Sequence, residues 1–286
     1  IVLNNKEIIP CSGLILAIGH SARDTFYMLS KKGLAMENKP FAVGFRIMHS
    51  QSLIDKNQYG ILDNRLPAAS YKLTFKASNN KGVYSFCMCP GGYVVNASSE
   101  PNRLCINGMS YSKRDSGIAN SAIIVTVNET DYGTVLFDGI KFQRALEEKA
   151  YYLGKGLIPI ETYGDYKNNK KPQNLGTLEP KIKGKYNIAN LNELLPNNLN
   201  VALKEGIENF DKKIKGFADN NALLCGIEAR TSSPIRIIRN EHYESNIVGI
   251  YPCGEGAGYA GGITSAAIDG LKVSEAIMNK FKPLEK

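Results

Sequence analysis

The stretch of this sequence best suited to chemistry is YPCGEGAGYAGGITSAAIDG, Tyr251 to Gly270, with glycine at 254, 256, 258, 261 and 262. Bare backbone between a strand and a helix lets N–H groups approach an anion, which the helix dipole also favours. Gly256, Gly258 and Gly261 match G-x-G-x-x-G literally. That fingerprint also requires a second strand ending in an acidic residue about 20 positions on. Only 25 residues follow Gly261. The apolar spacing Ile263, Ala266, Ala267, Gly270, Leu271, Ser274, Ile277, Met278 fills them with one helix. The stretch therefore reads as the last strand–loop–helix of a domain, and the fingerprint as a coincidental match.

Three other places carry groups capable of chemistry. Cys87 and Cys89 stand i, i+2 on a predicted strand, so they are expected to share a face as a redox-active or substrate-facing pair. Arg230 and Thr231 open a polar turn where a guanidinium could anchor a substrate carboxylate or a phosphate. His20 follows Gly19 at a strand end and could line a site. Arg46 and His49 fall in no recognisable constellation.

The elements that position these groups come in two styles. LILAI, Leu14 to Ile18, is a buried-type strand that breaks at Gly19 and His20. A helix with Phe26, Tyr27 and Leu29 on its apolar face follows and stops near Gly33. From Phe41 the pattern changes to short strands: Leu73 to Ala77, Val83 to Met88, Tyr93 to Ala97, Arg103 to Gly108 and Ala122 to Val127. SFCMCPGGYVV reads as a hairpin turning at Pro90-Gly91-Gly92. Asp138 caps a predicted helix to about Leu153, NELLPNNLNVALKEGIENFDKKIKGF supplies another, and two strands flank Ser232-Ser233-Pro234. The fold class expected is α/β plus α+β. A partial Rossmann-like domain (residues 1–40 and 241–286) flanks an inserted strand-rich domain (41–240), and Leu14–Ile18 lies beside Ile247–Tyr251.

Bulk composition excludes several functions. A chain of 286 residues, 43% hydrophobic and 22% charged, suits a globular protein of one or two domains. It has no apolar run of about 18 residues, so no membrane partner is expected. Six of the lysines behind the net charge of +8 lie in KNNKKPQNLGTLEPKIKGK, a Pro- and Asn-rich stretch without aromatics. It reads as a solvated loop, not a nucleic-acid surface. Scattered cysteines without a C-x-x-C pair, and three histidines far apart, give no metal site and point to a reducing, cytoplasmic setting. The N-terminus has no signal-peptide pattern and opens inside a strand-like stretch, so the chain is expected to be a piece of a longer protein.

Four stretches, ILAIGHSARD, VYSFCMCPGGYVV, GIEARTSSPIRI and GIYPCGEGAGYAGGITSAAIDG, together resemble the uncharacterised FAD-dependent dehydrogenases of the two-dinucleotide-type flavoprotein superfamily. The resemblance implies FAD as cofactor, with Glu255 at the ribityl chain and Gly19 at the strand that returns to the FAD domain. Gly254, Gly256, Gly261, Gly262 and Ile263 would complete the cofactor-binding set, the last three offering backbone N–H groups to the flavin. Negative charge gathers near N1 and the C2 carbonyl of reduced flavin, where a helix N-terminus contributes about 0.3–1 kcal/mol. The N-terminal G-x-G-x-x-G unit of such proteins has no counterpart here, so the missing FAD-binding half becomes an expected partner and FAD binding by this piece alone is expected to be weak or absent. The implied function is an oxidoreductase, a dehydrogenase passing a hydride between an unknown small-molecule substrate and flavin. The alternative is a non-catalytic module that holds a small ligand on the Gly-rich turn.

Overall fold

The computed structural model describes residues 1–4 and 6–281. In chain order the first elements are β1 (Leu14–Leu16), α1 (Arg23–Lys31), β2 (Met36–Asn38), β3 (Phe41–Ser50) and α2 (Gln51–Tyr59). Five strands follow, β4 (Thr74–Lys76), β5 (Gly82–Cys89), β6 (Gly92–Asn96), β7 (Ile106–Ser110) and β8 (Ile118–Val127). Next come α3 (Glu129–Tyr132), α4 (Asp138–Leu153), β9 (Ile158–Thr162), α5 (Tyr163–Asn168), β10 (Ile182–Lys183) and β11 (Tyr186–Ile188). The chain continues through α6 (Asn197–Asp211), β12 (Leu223–Glu228), β13 (Ile235–Ile237), β14 (Ile250–Pro252) and α7 (Ile263–Lys280).

These elements form two compact units. The first comprises Ile1–Phe41, Asn128–Lys141 and Ser232–Lys286; the second comprises Ala42–Val127 and Phe142–Thr231. Residues 128–141 and 232–240, expected in the insert, thus cluster with the chain ends. Asn38 accounts for part of this: its side-chain amide donates to the carbonyls of Thr134 and Val135, each at 3.1 Å.

In the first unit β1 and β14 pair in parallel, Leu14 opposite Ile250 and Leu16 opposite Pro252. β2 pairs antiparallel with β13. Phe26 of α1 joins Leu16, Leu34, Ile140, Ile235, Ile237 and Ala257 in one core. α1 stops where the sequence indicated, with Gly33 at φ 84. On α7 the outcome differs from the apolar spacing. Its buried residues are Asp269 and Val273, whereas Ile263 is 93% and Leu271 67% exposed.

The second unit carries a seven-stranded sheet, order β11-β9-β12-β3-β8-β5-β4, and a three-stranded sheet, β10-β6-β7. β3 is central and buried over nine consecutive residues, which explains its nearly continuous apolar run. Arg46 interrupts that run. Its guanidinium reaches both oxygens of Glu228 on β12 (2.6 and 3.1 Å), Asn120 on β8 (2.9 Å), Asn107 on β7 (2.8 Å) and the Cys87 carbonyl on β5 (2.9 Å). Burial works against both charges. The Glu228 carboxylate overcomes this and keeps Arg46 firmly protonated. α6 packs on β4, β5 and β8. Gly206 makes that approach possible, because a Cβ there would lie 2.5 Å from Val83 Cγ1.

The hairpin expected at Pro90-Gly91-Gly92 does not form. β5 pairs with β4 and β8 in the larger sheet, while β6 pairs with β7 and β10 in the smaller. A bulge between Phe86 and Cys89 bends β5 away, with Cys87 at φ 47, and Gly91 turns at φ 48 against the Arg114 backbone. The two strands flanking Ser232-Ser233-Pro234 also part, β12 to the seven-stranded sheet and β13 to β2.

Candidate functional site

The Gly-rich turn is held from behind by one carboxylate. After β14, Gly254 adopts φ 75, a conformation that favours glycine, and its N–H donates to Asp269 Oδ2 at 2.7 Å. Asp269, on α7, also accepts from Arg239 Nη1 (3.0 Å) and Nη2 (2.6 Å). Arg239 donates in addition to the Pro252 carbonyl (2.7 Å) and stacks 3.6 Å from the Tyr259 ring centroid. Burial alone would raise the Asp269 pKa, but the guanidinium and the Gly254 N–H hold it below the usual carboxylate range. The sequence reading missed both Arg239 and Asp269. The apolar spacing of α7 pointed away from Asp269, so the one signal was a lone acidic residue in the first half of that helix.

The glycines divide into two groups. Gly256 serves backbone packing, since a Cβ there would stand 2.5 Å from the Gly19 carbonyl oxygen and 2.7 Å from its nitrogen. Gly258 is similarly crowded, by the Ile235 carbonyl at 2.6 Å, and sits at φ 86. Gly261 and Gly262 are different. Nothing lies within 4 Å of a Cβ added at Gly261, and only Ser265 Oγ, at 4.0 Å, approaches one at Gly262. The Gly261 N–H donates to Ser265 Oγ at 3.3 Å. Those of Gly262 and Ile263 find no acceptor among the described residues. α7 therefore presents an N-terminus at which only the Ser265 hydroxyl approaches and two N–H groups stay unengaged. Beside it in the chain, Glu255 Oε1 lies 3.0 Å from His20 Nδ1, which brings two of the sequence candidates into contact.

Two candidates in the second unit prove to be arranged differently from expectation. The bulge interrupts the alternation at Cys87 and Cys89, leaving Cys87 exposed and Cys89 buried, yet the two side chains stay in contact. The Cys89 thiol donates to the Cys87 carbonyl at 3.3 Å, and its contact with Cys87, followed by burial, raises its pKa far above that of an ordinary thiol. Arg230 is engaged by protein groups. It forms a bidentate pair with buried Glu147 (2.7 and 2.8 Å) and donates to Ser99 Oγ at 2.5 Å. Burial disfavours its charge, and Glu147 more than compensates. Among the described residues no cluster of three or more His, Cys, Asp or Glu side chains could hold a metal. No described helix is long and apolar enough to cross a membrane.

The sequence profile of the FAD-dependent protein, C-terminal domain-like family matches residues 40–231. The chain belongs to this family. It is also 51% identical over 288 residues to an uncharacterized protein of Clostridium beijerinckii, covering 98% of this chain and 54% of that one. The chain thus spans about half the length of the curated relative it matches. The matched region contains Cys87, Cys89 and Arg230, whereas the Gly-rich turn lies beyond it. The residues of the turn suit a flavin on their own chemistry. The open helix N-terminus offers unengaged donors, and the missing side chains at Gly261 and Gly262 leave room for a planar ring.

Proposed function

We propose that this chain is the C-terminal part of an FAD-dependent oxidoreductase, a cytoplasmic dehydrogenase that passes a hydride between a small organic substrate and flavin. One observation carries the reading: the N-terminus of α7, without side chains at Gly261 and Gly262 and with the Gly262 and Ile263 N–H groups unengaged among the described residues, in a family defined by FAD dependence. FAD bound there supplies the hydride-accepting chemistry. The chain's own groups position and polarise. The N–H groups of Gly262 and Ile263, with the helix dipole, favour negative charge at the ring's pyrimidine edge by about 0.3–1 kcal/mol, and by about 2 kcal/mol when partly buried. His20 Nδ1, 3.0 Å from Glu255 Oε1, restrains that carboxylate. Asp269 and Arg239 hold the turn's backbone in place.

On this reading the partner would be an FAD-binding half corresponding to the part of the relative that the match leaves uncovered. Ile15, Ile268, Leu271 and Met278 lie exposed on β1 and α7, and apolar surface of this kind is where a further part of the same domain packs. That part would bring the adenosine-binding contacts, so this chain alone is expected to hold FAD weakly or not at all.

Replacing Gly262 by Val in the full-length protein tests the reading. Gly262 has φ −176, which any residue adopts, and open space around it. With FAD stripped from both, variant and wild type should therefore melt alike, while FAD content and the rate of flavin reduction of the variant fall. Unchanged FAD occupancy together with an unchanged reduction rate refutes the assignment.

A further inference from the structure

β5 carries two thiols that the flavin reading leaves unused. Along this strand the chain advances three residues, Phe86 to Cys89, while its partner β8 advances two, Ala122 to Asn120. The extra residue puts Cys87 at φ 47, a left-handed conformation that a side chain other than glycine rarely adopts. Such a position persists only where surrounding contacts enforce it, and these positions cluster at reactive sites. Here Arg46 supplies an enforcing contact, its Nη1 donating to the Cys87 carbonyl at 2.9 Å.

The bulge also places the two sulfurs. In an unbroken strand residues i and i+2 stand about 6.8 Å apart, at the outer limit of the Cα separation that a disulfide spans. At the bulge the Cys89 side chain instead folds back onto residue 87, its Sγ 3.3 Å from the Cys87 carbonyl oxygen. The same Arg46 Nη1 lies 3.7 Å from that sulfur. Gly108 leaves the guanidinium room, since a Cβ there would strike it. Cys87 is exposed and Cys89 buried, so one thiol meets solvent and the other stands behind it. A buried positive charge beside a sulfur repels a metal cation and favours a thiolate.

We propose that Cys87 and Cys89 form a thiol–disulfide exchange site for a small organic disulfide, Cys87 being the attacking sulfur and Cys89 the resolving one. The Cys87 thiolate attacks one sulfur of the disulfide; a Cys87–sulfur bond forms, the substrate's S–S bond breaks, and the departing thiolate takes up a proton. Cys89 then gives its proton to solvent and attacks Cys87 Sγ, which forms the Cys87–Cys89 disulfide and releases the second thiol. The two cysteines lose two electrons and the substrate gains them. Contact with Cys87, ahead of burial, keeps Cys89 protonated at the start. The mixed disulfide removes that cause while Arg46 still favours the anion, so the resolving sulfur is freed only after the first step. The site lies wholly in the second unit and does not depend on flavin.

Oxidised glutathione, added to the reduced full-length protein, is the probe. The tryptic fragment 82–103 contains Cys87 and Cys89 and no other cysteine, so mass spectrometry of that fragment reads the outcome. In the wild type a glutathionyl adduct should appear first and give way to a fragment lighter by two hydrogens. Cys89→Ser keeps a donor for the Cys87 carbonyl and should hold the adduct on Cys87 about tenfold longer or more. Cys87→Ser should form neither product. Exposed Cys11, in the first unit, is the internal standard, and its adduct should last equally in all three proteins. The wild-type time course needs no variant to fold. A wild-type fragment with neither adduct nor internal disulfide, an adduct as long-lived in the wild type as in Cys89→Ser, or an adduct forming on Cys89 in Cys87→Ser at the wild-type rate would each overturn the assignment.

Discussion

Glu161 offers a quantitative test of the physics of the second unit. It lies on β9 with no exposed surface; Oε1 accepts from the Leu191 N–H at 2.6 Å, and Oε2 has no partner. Burial, with help from Asp165 and Glu193, pushes its carboxyl from 4.5 up to about 8 against the pull of Lys204. Between those two values the native chain keeps a proton that the unfolded chain releases. Stability therefore falls by about 1.4 kcal/mol per pH unit as the pH rises through that window, and levels off above it. His49 has the opposite sign. Its pKa is depressed from 6.5 to about 4, so its contribution is present above 6.5 and is lost on acidification toward 4. From pH 4.5 to 6.5 the two slopes offset each other; from 6.5 to 8 Glu161 acts alone and removes about 2 kcal/mol. Glu161→Gln preserves the acceptor for Leu191 and replaces the protonated oxygen with a neutral group of the same shape. Urea denaturation of both proteins at pH 5, 6.5 and 8 is the assay. The variant should gain about 2 kcal/mol on the wild type between pH 6.5 and 8. A stability difference that stays constant across those pH values refutes the account of Glu161.

Other expectations follow from the geometry. Gly256→Ala places a Cβ against the Gly19 backbone at 2.5–2.7 Å and should cost about 1–3 kcal/mol by overpacking. Gly261→Ala meets nothing and should melt like the wild type, so equal melting temperatures for the two would contradict this division of the glycines. Asp269→Asn leaves the Arg239 guanidinium without its countercharge and should lower stability by about 3 kcal/mol. It should also flatten the acid limb of the pH–stability curve near pH 4, because a depressed carboxylate contributes above its unfolded pKa and loses that contribution on acidification. Arg230→Ala strands the buried Glu147 carboxylate and should reduce the unfolding free energy while leaving substrate KM unchanged. A raised KM with an unaltered melting temperature would restore Arg230 as a substrate anchor.

What could be read in the sequence was local. The helical spacing after Asp138, the glycine stop at 33 and the strand–turn–helix from Ile250 all depend on neighbours a few residues away, and all three appear in the structure. Pro90-Gly91-Gly92 obeys hairpin grammar equally well, but which sheet β6 joins depends on β7 and on β10, some 90 residues downstream. Period-two alternation assumes an unbroken strand, so it cannot foresee the extra residue at the bulge that exposes Cys87 and buries Cys89. Arg239 and Asp269 are 30 residues apart, and nothing in either neighbourhood names the other. In the Gly-rich turn the sequence marked where backbone would be bare. It could not separate glycines that touch protein, such as Gly256, from those that face open space, such as Gly262.

Arg46 gives the second unit a property that no apolar residue in its place could provide. Its donors are satisfied by β12, β8, β7 and the bulge of β5, so one guanidinium draws on four strands in two sheets. A compact intermediate that lacks any one of them holds a desolvated donor of that charge without its acceptor, at a penalty of several kcal/mol. Non-native registers of β5 or β8 pay the same penalty, because Asn120 and the Cys87 carbonyl then miss the guanidinium. The residue thus acts as a checkpoint on assembly. It contributes little to the depth of the native well and much to the height of the competing ones, so the two sheets of this unit are accepted together or not at all.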